Sequence, residues 1–262
     1  MRKIKLLSLE QFHTMQEINE RDFVLWSRPC PELWKRKQQG YCVLAELTHL
    51  QGLSEEQVAE ALCKEEAVSK YPFVCIDITQ LPQAYLRRIW CITNKLPVEI
   101  AETKRLLLRE SVPEDAEAFY RLYKDEDCQK YLKPLPIDKS LPPLEAYARY
   151  IQEYIRGQYG FYEYGMWTVV EKADGSVIGR AGLENQKIEG TGEKLCLGYG
   201  LLPQYRGAGY ALEALEAILY YCMECDYATE VWARISKENN ASCKVARVLQ
   251  TRNILPVNIV SD

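Results

Sequence analysis

The chain reads as an α/β protein. Its larger, C-terminal part carries a mixed, mostly antiparallel central sheet, and its N-terminal region is smaller and either mixed α/β or mainly helical. Three observations predict this. The turn Ala173-Asp174-Gly175-Ser176, of the D-G type, separates the apolar runs Gly165 to Lys172 and Val177 to about Ile188, so the two pair as an antiparallel hairpin. A strand, a long helix and a strand follow one another over 194–235, which requires a parallel crossover. The order through the C-terminal part is β-α-α-β-β-β-α-β-α, with strands and helices interleaved rather than segregated.

In chain order, Leu9 to Glu20 is predicted helical. Ser54-Glu55-Glu56-Gln57 is a capping box that opens a helix through about Ala67, with Val58, Ala61 and Leu62 on its apolar side. Tyr71 to Ile78 is a short apolar run of strand type, and Leu81 to Thr93 is again helical. Pro97 and Thr103 bracket a boundary, giving an accessory region of unassigned role over 1–100 and a second domain over 104–262. In the second domain 104–111 is a strand. Pro113-Glu114-Asp115 opens a helix to about Lys124, with proline in the first turn and acids at the positive end of the dipole. Leu144 to about Gly157 is a helix with apolar positions at Leu144, Tyr147, Ala148, Ile151 and Ile155. After the hairpin come a strand over Lys194 to Leu202, a helix from Gly207 to about Cys225, a strand over Thr229 to Ile235 and a helix over Asn239 to Gln250. Ile254 to Val260 provides one short strand at most.

Composition sets outer limits. Apolar residues make up 47% and charged residues 27%, ordinary for a globular chain, and the formal net charge of −4 gives no basic field for nucleic acid. No stretch reaches the ~20 apolar residues of a membrane helix, and the N-terminal apolar run is cut by Glu10 and Gln11 too early for a signal peptide. A cytoplasmic address is expected, with the ten cysteines reduced. Only Cys222 and Cys225 form a C-x-x-C pair. It lies inside a helix without a second pair, so no metal site is expected. Tyr147, Tyr150, Tyr154, Tyr159, Tyr162 and Tyr164 lack the cations of a nucleic-acid surface beyond Arg149 and Arg156, and are expected in a cleft or the core.

The segment with chemistry is Gly198-Tyr199-Gly200-Leu201-Leu202-Pro203-Gln204-Tyr205-Arg206-Gly207-Ala208-Gly209-Tyr210-Ala211. A strand ends, a glycine-containing loop follows and a helix begins. The first amides of a helix have no partner inside it and carry the positive end of its dipole, which makes an anion seat suited to a phosphate or pyrophosphate. Gly207 and Gly209 let a ligand approach the backbone, and Arg206 is expected to add a cation. No Gly-Lys-Ser/Thr follows and the three-glycine dinucleotide spacing is absent, so neither of those phosphate motifs applies.

The stretch Gln204 to Ala211, Q-Y-R-G-A-G-Y-A, resembles the acyl-CoA signature Q/R-x-x-G-x-G/A of the GNAT acyltransferase superfamily. Residues 104–250 are similar to the branch that includes ribosomal-protein N-terminal acetyltransferases. The opening T-K-R-L-L-L-R-E-S, the strand V-I-G-R-A-G-L, the strand-to-helix segment and K-E-N-N-A-S-C-K-V-A-R-V-L fall in that branch's order. The resemblance implies the acyl-CoA N-acyltransferase type of sheet. It implies acetyl-CoA as cosubstrate and a primary amine, on a small molecule or a protein N-terminus, as the acceptor that attacks directly. An acyl-CoA-binding regulatory module without turnover is the alternative.

By the same resemblance, the amides of Gln204, Tyr205, Arg206, Gly207, Ala208, Gly209 and Tyr210 would hold the pyrophosphate. Leu201 and Leu202 would pair with the pantetheine amides, and Asn239 and Ser242 would flank the thioester arm, although Asn239 suits a helix N-cap equally well. Glu184 is the candidate base, with Tyr199 and Glu163 as weaker options. The last helix lacks the tyrosine that many relatives use as acid to the thiolate. Gln250 to Pro256 replaces a Gly-Phe pair, so the domain is expected to be shortened at its C-terminus. The missing wall would come from the N-terminal region or from a homodimer formed through the incomplete sheet edge.

Overall fold

The computed structural model describes residues 3–15 and 22–261 and divides the chain into two compact units, Met1–Val98 and Glu99–Asp262.

The first unit is α/β. Strands β1 (Lys5–Ser8), β2 (Phe23–Ser27), β3 (Val43–Glu46) and β4 (Val74–Cys75) form a wholly parallel sheet in the order β1-β2-β3-β4. Parallel neighbours need crossovers, and helices α1 (Leu9–Thr14) and α2 (Pro31–Gln38) lie between the first three strands. Helices α3 (Glu55–Lys64), α4 (Glu66–Lys70) and α5 (Gln83–Thr93) complete the unit. The Ser54/Gln57 capping box forms in both directions and opens α3. Residues 16 to 20 of the helix predicted over Leu9–Glu20 lie outside the described residues. Leu25, Leu33, Val43, Ala45 and Leu47 form the unit's core.

The second unit is built on a seven-stranded sheet in the order β11-β10-β9-β8-β7-β6-β5. Its strands are β5 (Glu99–Glu102), β6 (Leu106–Arg109), β7 (Met166–Glu171), β8 (Val177–Ile188), β9 (Gly192–Leu201), β10 (Val231–Ile235) and β11 (Val257–Ser261). From β5 to β9 every pairing is antiparallel, while β9 with β10 and β10 with β11 are parallel. The hairpin turn at 173–176 falls between β7 and β8. One face carries α6 (Ala116–Lys124), α7 (Glu126–Tyr131) and α8 (Pro143–Tyr154), with a wider turn at Ile155–Tyr159 and a short α9 (Gly160–Tyr162) after it. Helices α10 (Tyr210–Glu224) and α11 (Asn240–Arg252) follow β9 and β10.

Two differences from the sequence reading bear on the site. The helix expected from Gly207 starts at Tyr210, because Gly207 and Gly209 take left-handed φ values of 77° and 82°, which a right-handed helix excludes. An additional strand, β5, pairs with β6 at the sheet edge opposite β11.

Among the described residues no helix is long and apolar enough to cross a membrane, and no group of three or more His, Cys, Asp or Glu is placed to hold a metal ion. None of the ten cysteines is in a disulfide, and burial pushes the Cys222 thiol up to about 11.

Candidate functional site

The loop between β9 and α10 is a short 3-10 turn followed by two left-handed glycines. In the turn, Tyr205 N–H donates to Leu202 C=O at 3.0 Å and Arg206 N–H to Pro203 C=O at 3.1 Å. The first bond closing onto the helix is Glu213 N–H to Gly209 C=O at 3.1 Å. Among the described residues, the amides of Gly207, Ala208, Gly209, Tyr210, Ala211 and Leu212 meet no acceptor. Six consecutive N–H groups are thus unspent at the positive end of a 15-residue helix, where an anion gains most. The space in front of them is open: a Cβ on Gly207 would meet nothing within 4 Å.

Within the expected contact set Gln204–Tyr210, Tyr205 and Arg206 have their amides committed inside the turn. The Arg206 side chain is committed as well. Its Nε donates to Leu201 C=O at 2.9 Å, Nη1 donates to Asp127 at 2.9 Å, and Nη2 bonds Asp125. Burial pushes the Asp125 carboxyl up, but the Arg206 guanidinium and the Cys128 amide together hold it below the ordinary carboxylate value. The cation expected at the seat is therefore neutralised by two acids in and beside α7. A different arginine stands at the loop. Arg105, just before β6, donates from Nη1 to Ala208 C=O at 2.9 Å and from Nε to Glu213 at 2.6 Å. Its guanidinium lies 4.2 Å from the centre of the Tyr210 ring, whose hydroxyl bonds Glu171.

The second feature is a gap in the sheet. β9 and β10 are paired only at Cys196 and Trp232, so the two strands splay apart beyond that point. Leu202 N–H donates to Ile178 C=O at 2.9 Å, and the β8–β9 register is continuous. By the alternation of an antiparallel ladder, the main-chain groups of Leu202, Gly200 and Gly198 then point to β8, and those of Leu201, Tyr199 and Leu197 point toward the gap. Leu202 is used twice inside the protein, since its carbonyl also accepts from Tyr205. Leu201 C=O is taken by Arg206. What the gap offers to an extended ligand is the Leu201 N–H with both main-chain groups of Tyr199, an open strand edge of the kind that pairs with an added chain.

The candidate catalytic groups occupy opposite faces of this sheet. Glu184 pairs with Cys196 and Tyr199 with Ala181, and side chains alternate along a strand. Glu184 therefore shares a face with Arg180, whose guanidinium contacts residues of α6 and α8. Glu184 is half-buried, and among the described residues its carboxylate has no hydrogen-bond partner. Its charge reaches Tyr123 and Tyr150. Burial raises both phenols, Arg180 pulls them back, and Glu184 pushes them up.

Tyr199 is on the α11 face, with its hydroxyl 2.9 Å from Ser242 Oγ. Burial raises the Tyr199 phenol, so it is a proton donor at neutral pH rather than a base. The Tyr199 hydroxyl is thus delivered from β9 beside α11. Asn239 is the N-cap of α11, its side chain accepting from Ser242 N–H at 3.0 Å. Glu163 ends α9 with φ 63°, and its carbonyl accepts from Tyr227.

Arg180 had no signal in the sequence. It is 2% exposed, stacks over Phe119 at 4.7 Å and Tyr154 at 5.2 Å, and donates to Tyr123 Oη at 3.1 Å and Met166 C=O at 3.2 Å. Within the expected tyrosine cluster, Tyr147 and Tyr159 are buried, and Tyr150 and Tyr154 lie against this cation. Truncating Arg180 to alanine removes two charge-assisted bonds and leaves a cavity, so a loss on the order of 3 kcal/mol is expected in urea unfolding. Arg180→Met, which refills the volume without the charge, is expected to lose less. Equal losses in both variants would show that packing around the guanidinium is not what matters.

A family model described as an acetyltransferase (GNAT) domain matches residues 105–250, more than half of the chain. Among solved structures, an acetyltransferase of the GNAT family from Bacillus anthracis is similar over 56% of this chain and 79% of its own, with 20% identity and a TM-score of 0.44. An acetyltransferase from Agrobacterium tumefaciens str. C58 is similar over 57% of this chain and 81% of its own, with 21% identity and a TM-score of 0.46. A ribosomal L7/L12 alpha-N-protein acetyltransferase in complex with coenzyme A is similar over 57% of this chain and 81% of its own, with 19% identity and a TM-score of 0.45.

Proposed function

Because the chain belongs to the GNAT acetyltransferase family, whose acetyl donor is acetyl-CoA and whose acceptor is an amine, we propose that the seat at 207–212 and the open edge of β9 form its donor site. The acceptor then approaches on the Glu184 face. The observation that carries this reading is the run of six amides without acceptors, directly beside the splayed strand end.

Acetyl-CoA supplies a thioester, and the protein has to hold it, admit an amine and manage protons. The amides of Gly207–Leu212 hold the diphosphate. The Leu201 N–H and the Tyr199 C=O align the amide-bearing arm along β9. Glu184 takes the proton of the incoming primary amine, directly or through one water. Tyr199 N–H, turned into the gap, stabilises the negative charge that builds on the carbonyl oxygen. The Tyr199 hydroxyl, kept protonated by burial and held by Ser242, donates to the departing sulfur.

The acceptor class is a primary amine on a small molecule or a protein N-terminus, presented to a face rich in tyrosine. A cytoplasmic location accords with ten cysteines outside any disulfide, which a reducing compartment preserves. β11 is the sheet edge, and an unpaired edge strand supports self-association through it; a monomeric mass in light scattering at high protein concentration removes that element. A thiol-release assay with acetyl-CoA and a panel of small amines and N-terminal peptides, run beside a CoA-binding titration, tests the whole. Binding with amine-dependent release is expected. Binding without release by any amine would reduce the domain to a donor-binding module.

A further inference from the structure

We propose that Arg105 is the positioning residue of the phosphate seat, fixing the peptide between Ala208 and Gly209 so that its amide faces the ligand. This rests on the donor-site reading above.

A trans peptide is planar, and its C=O and N–H point in opposite directions. Arg105 Nη1 holds Ala208 C=O at 2.9 Å, so the Gly209 N–H of the same peptide is aimed away from the arginine, into the run of free amides. The loop needs such a lock. Gly207 and Gly209 give it the left-handed turns it requires, and the same freedom makes rotation of the intervening peptides inexpensive. A seat whose donors turn away binds only in the fraction of molecules that have them aligned.

The lock is itself held. Arg105 Nε bonds Glu213 at 2.6 Å, and Glu213 also accepts from Thr103 Oγ1 at 2.6 Å and from Arg105 N–H at 3.0 Å. The guanidinium is stacked on Tyr210. Contacts therefore close a ring between the start of β6 and the first turn of α10. The ion pair has a second consequence. Glu213 lies in the first turn of α10, where an unpaired carboxylate would repel a diphosphate, and Arg105 neutralises it. The third nitrogen, Nη2, has no acceptor among the described residues and would stand 3.6 Å from a Cβ on Gly209.

The test compares CoA with pantetheine, which has the same arm and no phosphate. Dissociation constants for both are measured by titration calorimetry on the wild type, Arg105→Gln and Arg105→Lys, each checked for unchanged thermal unfolding. Arg105→Gln is expected to weaken CoA about tenfold or more, the scale of one charge-assisted hydrogen bond, while pantetheine stays within about twofold by the same arithmetic. Arg105→Lys keeps the charge but not the fork that spans Glu213 and Ala208, so it is expected to remain weakened. Full rescue by lysine would overturn positioning in favour of charge alone, and wild-type CoA affinity in Arg105→Gln would overturn the inference outright. If the wild type itself does not prefer CoA to pantetheine, the donor-site reading fails, and this inference with it.

Discussion

Glu184→Gln is expected to lower kcat/KM for the acceptor amine by roughly 10²- to 10⁴-fold, the usual span for loss of a general base. The carboxylate stands half-buried on β8, without a hydrogen-bond partner among the described residues, on the face away from Tyr199. A carboxylate bound into an ion pair would serve structure, whereas an uncommitted one, whose charge reaches Tyr123 and Tyr150, is available for a proton. Glutamine keeps the volume and removes only the ability to accept that proton. Affinity for CoA is expected to stay unchanged, because the donor seat lies beyond the end of β9. Full activity in the variant would remove Glu184 from the mechanism and return attention to water or to Glu163.

Gly207→Glu is expected to weaken CoA by about a hundredfold or more, equivalent to about 2.7 kcal/mol. A Cβ there meets nothing within 4 Å, so the backbone has room for the substitution and the effect falls on the ligand rather than on packing at that point. It brings a carboxylate to the amides that would bind phosphate, and the two negative groups repel. The left-handed φ of 77° adds backbone strain of about 1–2 kcal/mol for any non-glycine residue. Gly207→Ala therefore serves as the control. It carries the strain without the charge and is expected to bind CoA far better than the glutamate variant. Equal affinities in the two would assign the loss to backbone geometry.

How much of this was legible in the sequence depended on the range of the interactions involved. The hairpin 166–188, the long helix and the glycine loop follow from local signals, and the structure has them within a few residues. The mixed sheet follows from the order of those elements. What the sequence could not tell was which arginine is free to hold the loop and which is tied up elsewhere. Arg206 is adjacent to the glycines, but its partners Asp125 and Asp127 lie 81 and 79 residues earlier. Arg105 is paired to Glu213 across 108 residues. Neither pairing leaves a trace in spacing.

The edge that β9 leaves open is displaced in a similar way. Leu202 sits at the strand end, yet ladder parity commits it to β8 and turns Tyr199 and Leu201 outward. That parity depends on register between strands. The opposite placement of Glu184 and Tyr199 has the same origin. In the first unit, strands of four or five residues leave too little periodicity to distinguish a parallel sheet from short helices, so β1 to β3 carry no clear signal in the sequence.

The claim on which the rest depends is that the amides from Gly207 to Leu212 are unspent in the free protein and taken up by the diphosphate of the donor. Residue-resolved amide hydrogen exchange, with and without CoA, reads those groups one by one. Fast exchange is expected for this run in the free protein, with protection on adding CoA and none on adding pantetheine. Protection already present without ligand, or exchange unaltered by saturating CoA, would contradict it.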